Sequence, residues 1–324
     1  MAEVSEKDLF QRVDLSHTAD REKIASPSLN FLQDSWRRLT KNKGAVFSLV
    51  IVIAIILLAI LAPVIAPFDP LEQNAQFANL PARIPGLFSG LRNGVDVYAQ
   101  QGVPEGVNFY FGTDNLGRDI FSRLLLGTFY SIFLAFSAIL LAAIVGSILG
   151  AVAGYFGGYI DEFFLFISEI FMSIPVILIT LGIIVLLNNG FHSIILALFV
   201  LYMPRTLSYV RGLVKREKHK NYIKIAKIYG VNHFRIIIRH IAPNIILPIL
   251  VNFSTNFAGA ILTEASLGYL GFGIQPPYPT LGHMLNESQS YFLLAPWFTI
   301  LPGLMILFLV YKINQISRKY QEKK

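Results

Sequence analysis

The sequence predicts an all-α integral membrane protein built on six transmembrane helices, and two observations carry that expectation. The first is the grouping of apolar residues into uncharged runs at 44–68, 124–160, 170–204, 241–263 and 288–311. Each run meets or exceeds the roughly 20 residues that cross about 30 Å of hydrocarbon at about 1.5 Å per residue. The second is the distribution of charge, which alternates between the segments joining those runs. Composition agrees: 54% of the 324 residues are hydrophobic and only 15% are charged, more apolar material than a soluble domain of this length buries.

Residues 1–43 are polar and mixed in charge, and we read them as a cytoplasmic tail with a short surface helix near Leu29 to Leu39. The run 44–68 reads as a true span, because the 43 residues before it are too long for the usual n-region of a signal peptide. The outer loop 69–123 carries Pro81, Pro85, Gly86, Gly90, Gly94 and Pro104, which argue for turns. In the next span Gly146, Gly150 and Gly154 recur every four residues, on one helix face where another helix can approach closely. Tyr155 to Glu162 reads as a short turn on the cytoplasmic side. Pro175 interrupts a helical run and predicts a kink. The run 170–204 breaks at Asn188-Asn189-Gly190 into two spans, which brings the total to six.

Charge sets the orientation. Arg37, Arg38, Lys41 and Lys43 precede the first span, and 205–240 carries ten Lys and Arg against the single acid Glu217. The tail 312–324 adds five more against Glu322, whereas 68–123 holds six acids and four arginines. With six spans the basic segments share one side, which the positive-inside rule makes cytoplasmic, with both termini there. A basic cluster in this setting is an orientation-setting flank, and no nucleic-acid partner is expected.

Several chemistries are excluded. The chain has no cysteine, hence no disulfide, thiolate metal site or iron–sulfur ligation. No G-x-x-x-x-G-K-[ST] phosphate loop occurs, so the usual ATP site is not on this chain. No His, Asp or Glu pair stands at helical metal-ligand spacing, and His219, His233 and His240 read as structural. Glu169 and Glu264 fall near span ends, where capping and interface contacts are expected ahead of a substrate or proton role. Catalytic, cofactor and metal residues are therefore expected to be none.

The most specific stretch lies in the cytoplasmic loop 211–240. Tyr222, Ile225, Ala226 and Tyr229 recur at steps of three and four, while Lys224 and Lys227 keep the other side polar. Gly230 can take the left-handed conformation that ends a helix. A short amphipathic helix between two spans results, able to lie on the bilayer or in a groove of a partner.

This stretch, with Ile236-Ile237-Ile238-Arg239-His240-Ile241-Ala242-Pro243-Asn244 after it, resembles the cytoplasmic coupling-loop motif of binding-protein-dependent ABC transporter permeases. Gly230 and His240-x-x-Pro243-Asn244 match that motif. Lys224 departs from it, standing where the family acid usually stands, as does Ile225 in place of the first alanine. Phe111-Gly112-Thr113-Asp114-Asn115-Leu116-Gly117-Arg118-Asp119, Ala153-Gly154-Tyr155-Phe156-Gly157-Gly158 with Asp161, and Trp36-Arg37-Arg38-Leu39 resemble the peptide and nickel subfamily, specifically its second permease subunit. Glu264 to Gly273, with Pro276-Pro277 and Pro279-Thr280-Leu281-Gly282, is similar to that subfamily's long outer motif. Ala295-Pro296-Trp297 and Pro302-Gly303 fit its last span. The resemblance covers about 36 to 311 and ends before the basic tail 312–324.

The resemblance implies a permease domain over 44–311 of the ABC importer type and a translocation subunit carrying di- or oligopeptides. A nickel or small-solute importer is the alternative, and a non-transporting scaffold a more distant one. It implies as partners a homologous second permease subunit, two cytoplasmic ATPase subunits that use ATP and Mg²⁺, an external or lipid-anchored peptide-binding protein, and membrane lipids. It further implies that the helix holding Tyr222, Lys224, Ile225, Ala226, Tyr229 and Gly230 docks on one ATPase.

Overall fold

The computed structural model describes residues 43–84, 88–89, 91–92 and 94–321. The tail expected before residue 43, its surface helix and the Trp36-Arg37-Arg38-Leu39 motif lie outside the described residues, as do Pro85, Gly86 and Gly90 of the outer loop.

Helix α1 spans Lys43–Ile60 and packs against the last long helix, α9 (Pro296–Gln321). Ser48 Oγ donates to Gln315 Oε1 at 2.5 Å and ties the two together. The outer segment then folds as two small antiparallel hairpins, β1 (Arg83–Ile84) with β2 (Phe88–Ser89) and β3 (Leu91–Arg92) with β4 (Val95–Asp96). Leu80, Val97, Tyr98 and Phe109 give it a core, with Phe68 and Phe77 packed against them. Apolar burial holds the turns that the glycines and prolines permit.

Helix α2 spans Ile120–Phe156, capped by Asp119, whose carboxylate accepts the Ser122 N–H. Gly157 at φ +74° turns the chain directly into α3, Gly158–Ser173, a tighter return than the Tyr155 to Glu162 turn expected. Helix α4 spans Val176–Leu187, α5 Phe191–Lys218, α6 Asn221–Ile228 and α7 Ala242–Tyr269. A π turn over Ile236–Ile241 leads into α7, and α8, Leu281–Ser288, precedes α9. The loop expected from 211 is helical as far as Lys218, so much of the basic charge sits on α5.

Among the described residues four helical stretches are long and apolar enough to cross a membrane: Ile120–Phe156, Phe191–Lys218, His233–Tyr269 and Pro296–Arg318. The pair α3 and α4 makes a fifth if counted as one span, bent by 92°. Val46–Ile60 is apolar but shorter. The chain is thus an all-α multi-pass membrane protein whose described residues hold four such helices, or five with the bent pair. Pro175 lies at a complete break between α3 and α4, not inside one kinked helix, because it supplies no N–H to the turn before it.

The largest buried cluster joins α2, α4, α5 and α7 through residues including Leu134, Ile139, Ile184, Ile194, Leu198 and Ile261. A second cluster joins α2, α8 and α9 around Ile120, Leu281, Met284 and Phe298.

Candidate functional site

At one end of the bundle, α5 carries α6 directly after it. Ile223 is fully buried, in a cluster with Tyr155, Val210, Val214, Ile236 and Ile241. Tyr222 and Ala226 pack against that cluster. The Tyr222 hydroxyl donates to Glu217 Oε1 at 2.5 Å and accepts from Asn244 Nδ2 at 3.0 Å. Lys220 Nζ meets the same carboxylate at 2.8 Å. Burial first, then the Glu217 carboxylate, raises the Tyr222 phenol well above its ordinary pKa, so it stays a donor. Glu217 thereby fastens the start of α6 to the end of α5.

The opposite side of α6 faces outward. Ile225 is 52% exposed, and Ile228 and Tyr229 are each 82% exposed. Phe234 and Ile238 are also exposed, and Lys224 and Lys227 flank the patch. Gly230 ends the helix at φ +70°, a conformation that a side chain would strain. The stripe read as one face therefore divides. Ile225 and Tyr229 point out, whereas Tyr222 and Ala226 turn in and pack in the chain's own attachment of α6. Ile228 and Phe234, not singled out in the sequence, complete the outward surface; Ile228 stands three residues after Ile225, a spacing that could have placed it there.

Two features brace this end. Asp161 on α3 is held by Arg211, with Nη2 at 2.8 Å, and by Lys215 Nζ at 2.5 Å, both on α5. Gly146, Gly150 and Gly154 of α2 lie against the backbone of α5. A Cβ at each would stand 2.9 Å from the Met203 carbonyl oxygen, 2.5 Å from that of Leu207 and 2.7 Å from that of Arg211. The carbonyls recur every four residues in step with the glycines, so the two helices meet backbone to backbone.

At the opposite end a buried ion network joins the outer segment, α2 and α8. Asp114 Oδ2 lies 2.6 Å from Arg118 Nε and 3.0 Å from Arg123 Nη1. Glu287 receives Arg118 Nη2 at 2.8 Å and Arg123 Nη2 at 2.6 Å. Asp114, Arg118 and Arg123 are each at most 2% exposed. Burial pushes the Glu287 carboxyl up, but the His283 imidazole 3.6 Å away and the Arg118 charge outweigh it and hold it below the usual range. Glu264, close by on α7, is completely buried beside Ser131, Thr280 and His283, whereas Glu169 on α3 is exposed. Sequence reading used the Phe111 to Asp119 motif only as a likeness; nothing local in it announces a bond to residue 287.

Together these elements define a multi-pass helical membrane protein, one end of which presents an apolar patch on a short braced helix. Comparison with known proteins gives the family. The model of the binding-protein-dependent transport system inner membrane component matches residues 146–319, and that of the N-terminal TM domain of oligopeptide transport permease C matches 30–82. The chain is 35% identical to the dipeptide transport system permease protein DppC of Haemophilus influenzae, over 87% of this chain and 90% of that one. It is 31% identical to the di/tripeptide transport system permease protein DppC of Pseudomonas aeruginosa, over 90% and 91% of the two chains. Against the oligopeptide transport system permease protein OppC of Bacillus subtilis the identity is 30%, over 96% and 94%. The chain belongs to the family of binding-protein-dependent transport system inner membrane components.

Proposed function

We propose that the chain is the translocation subunit of an ATP-driven importer carrying di- or oligopeptides across the cytoplasmic membrane. The cargo reading follows the names of the relatives, which are dipeptide, di/tripeptide and oligopeptide permeases. The working assembly pairs it with a homologous permease, two cytoplasmic ATPases that hold ATP and Mg²⁺, and an external peptide-binding protein. Six crossings complete the topology when Val46–Ile60 and the α3–α4 pair are each counted as one. The domain then runs over 44–311, with the tails 1–43 and 312–324 in the cytoplasm.

The observation that carries the coupling role is the outward patch of Ile225, Ile228 and Tyr229 on a helix moored to α5 by Ile223, Tyr222 and Glu217. Apolar side chains on a cytoplasmic surface gain from burial in a groove. A helix fixed at both ends to long spans passes a push on that patch into the membrane, whereas a free tail would absorb it. Gly146, Gly150 and Gly154 then join α2 to the moving α5, and the break at Pro175 lets α3 and α4 hinge. Lys224 and Lys227 on the rim suit acids on the ATPase and set orientation more than affinity.

Uptake of labelled dipeptides and longer peptides is the test, in a strain lacking this subunit and in the same strain complemented. Loss of uptake restored by the wild-type chain is expected. Peptide uptake undiminished by the deletion overturns the reading.

A further inference from the structure

Midway along α5 stands a charge that neither the α6 patch nor the buried ion network uses. Helix α5, Phe191–Lys218, is about 42 Å long at about 1.5 Å per residue, close to the thickness of a bilayer with its headgroups. Arg205 falls at its middle, about 20 Å from either end, and its side chain is exposed. Nearer the basic end of the same helix, Arg211 and Lys215 share Asp161. Among the described residues Arg205 meets no carboxylate. Long cationic side chains in a span ordinarily reach back to the headgroups. Arg205 leans the other way. Its guanidinium carbon stands 5.5 Å from the centre of the Tyr202 ring, one turn back along the half of α5 that holds no Lys, Arg, Asp or Glu, the direction in which helical side chains tilt. The charge therefore faces the middle of the membrane, where hydrocarbon is a costly neighbour and water or an anion is needed.

The surroundings of Arg205 form a polar face. Tyr202, Arg205, Thr206 and Tyr209 recur at steps of three and four on α5, and Asn252, Asn256 and Thr263 share one face of α7. The two faces meet. Tyr202 Oη lies 3.3 Å from Thr263 Oγ1, Asn256 Nδ2 donates to Thr206 Oγ1 at 3.4 Å, and Tyr209 Oη donates to the Pro248 carbonyl at 3.5 Å. The strip so formed runs along both spans, with Arg205 open at its edge. Side-chain amides and hydroxyls offer donors and acceptors together, which suits the amide groups of a peptide, and a guanidinium fork matches a carboxylate bidentately. Lipid phosphates lie at the ends of a helix of this length, not beside its middle.

We propose that the polar strip between α5 and α7 lines the path of the cargo, and that Arg205 binds the terminal carboxylate of a peptide in transit. The inference rests on the peptide reading above and adds the group of the peptide that is recognised inside the membrane. A peptide of any length ends in one such carboxylate, so the contact does not depend on cargo length.

The test uses the complete transporter in proteoliposomes with its external protein, and labelled alanyl-phenylalanine beside its carboxyl-terminal amide. Relative to wild type, Arg205→Gln should slow uptake of the acid about tenfold or more, as expected for a lost charge-assisted pair, and change uptake of the amide by less than about twofold. Should Arg205→Gln fail to assemble, Arg205→Lys keeps the charge without the fork and should slow the acid severalfold with the amide unchanged. Because the chain has no cysteine, Arg205→Cys can be labelled on this chain with a charged thiol reagent, and alanyl-phenylalanine should protect it. Leu141→Cys, on an exposed apolar side of α2, should stay unlabelled. Absence of peptide uptake by the wild type overturns the cargo reading and this proposal together. With wild-type uptake intact, equal losses for acid and amide, or no labelling of Arg205→Cys, overturn this proposal alone. So does loss of the second permease from both Arg205→Gln and Arg205→Lys, which would assign Arg205 to a carboxylate of that subunit.

Discussion

Replacing Gly150 by alanine should loosen the seam between α2 and α5, and the structure says by how much. The added Cβ would stand 2.5 Å from the Leu207 carbonyl oxygen, with the Arg211 amide nitrogen and the Val210 Cβ each at 3.1 Å. Ordinary contact begins near 3.4 Å, so α2 and α5 must separate by about 0.9 Å along a seam where both sides are backbone and neither can swing away. Overpacking of this kind costs about 1–3 kcal/mol. Alanine returns about 0.5–1 kcal/mol as the better helix former, which leaves a net loss of up to about 2.5 kcal/mol, centred near about 1 kcal/mol. Gly182 in α4 is the control, because a Cβ there meets nothing within 4 Å and only the propensity gain remains. Titration of both variants with SDS in mixed micelles should show Gly150→Ala unfolding earlier than wild type and Gly182→Ala no earlier. If the two variants match, the seam is not in backbone contact and the bracing of α5 by α2 falls with it.

If α6 docks as proposed, Ile228→Asp and Tyr229→Asp should each weaken ATPase association about tenfold or more, as hot-spot losses do. The permease should remain folded, which copurification of the companion subunits would measure. Tyr222→Phe should behave differently, losing about 1–2 kcal/mol of stability with its bond to a charged acceptor, seen in the same SDS titration. At the outer end, Arg123→Gln leaves Asp114 and Glu287 short of a buried partner and should cost about 3–5 kcal/mol. The folded pKa of Glu287 lies below its unfolded value, so its contribution is full above the ordinary carboxylate range and is lost as pH falls through the depressed value. Glu287→Gln should flatten that acid-side decline in a pH series of unfolding midpoints. For topology, cysteine in place of Glu105 should react with an impermeant thiol reagent on intact cells and cysteine in place of Lys220 should not; the reverse pattern would refute the orientation.

Much of the fold is legible because its signals are local. An uncharged run of helical length declares a span by itself, and Gly230, which ends α6 at φ +70°, declares a helix end. Long-range pairings leave no such mark. Arg118 and Arg123 meet Glu287 more than 160 residues later, through segments that read alone look like turns. The division of α6 is hidden for another reason. Its helix is apolar on two sides, with Ile223 and Ala226 on one and Ile225 and Ile228 on the other, so periodicity shows amphipathic character without saying which side the chain keeps for itself. Pro175 announces a disturbance, but its size depends on whether the helix resumes in line, which packing decides.

The elbow between α3 and α4 also has a meaning for the lipid. Pro175 supplies no N–H, so the last turn of α3 ends with backbone carbonyls lacking their usual successors. Around the elbow the chain is sheathed in exposed Phe166, Ile170, Met172, Ile177 and Leu178. In hydrocarbon a bare backbone acceptor costs several kcal/mol, while those side chains lose when wetted. The two demands oppose each other along the membrane normal. The elbow therefore comes to rest at the depth where its carbonyls reach water, headgroups or another protein's donors before its phenylalanine and isoleucine side chains leave the oil, and that depth registers α3 and α4 against the bilayer.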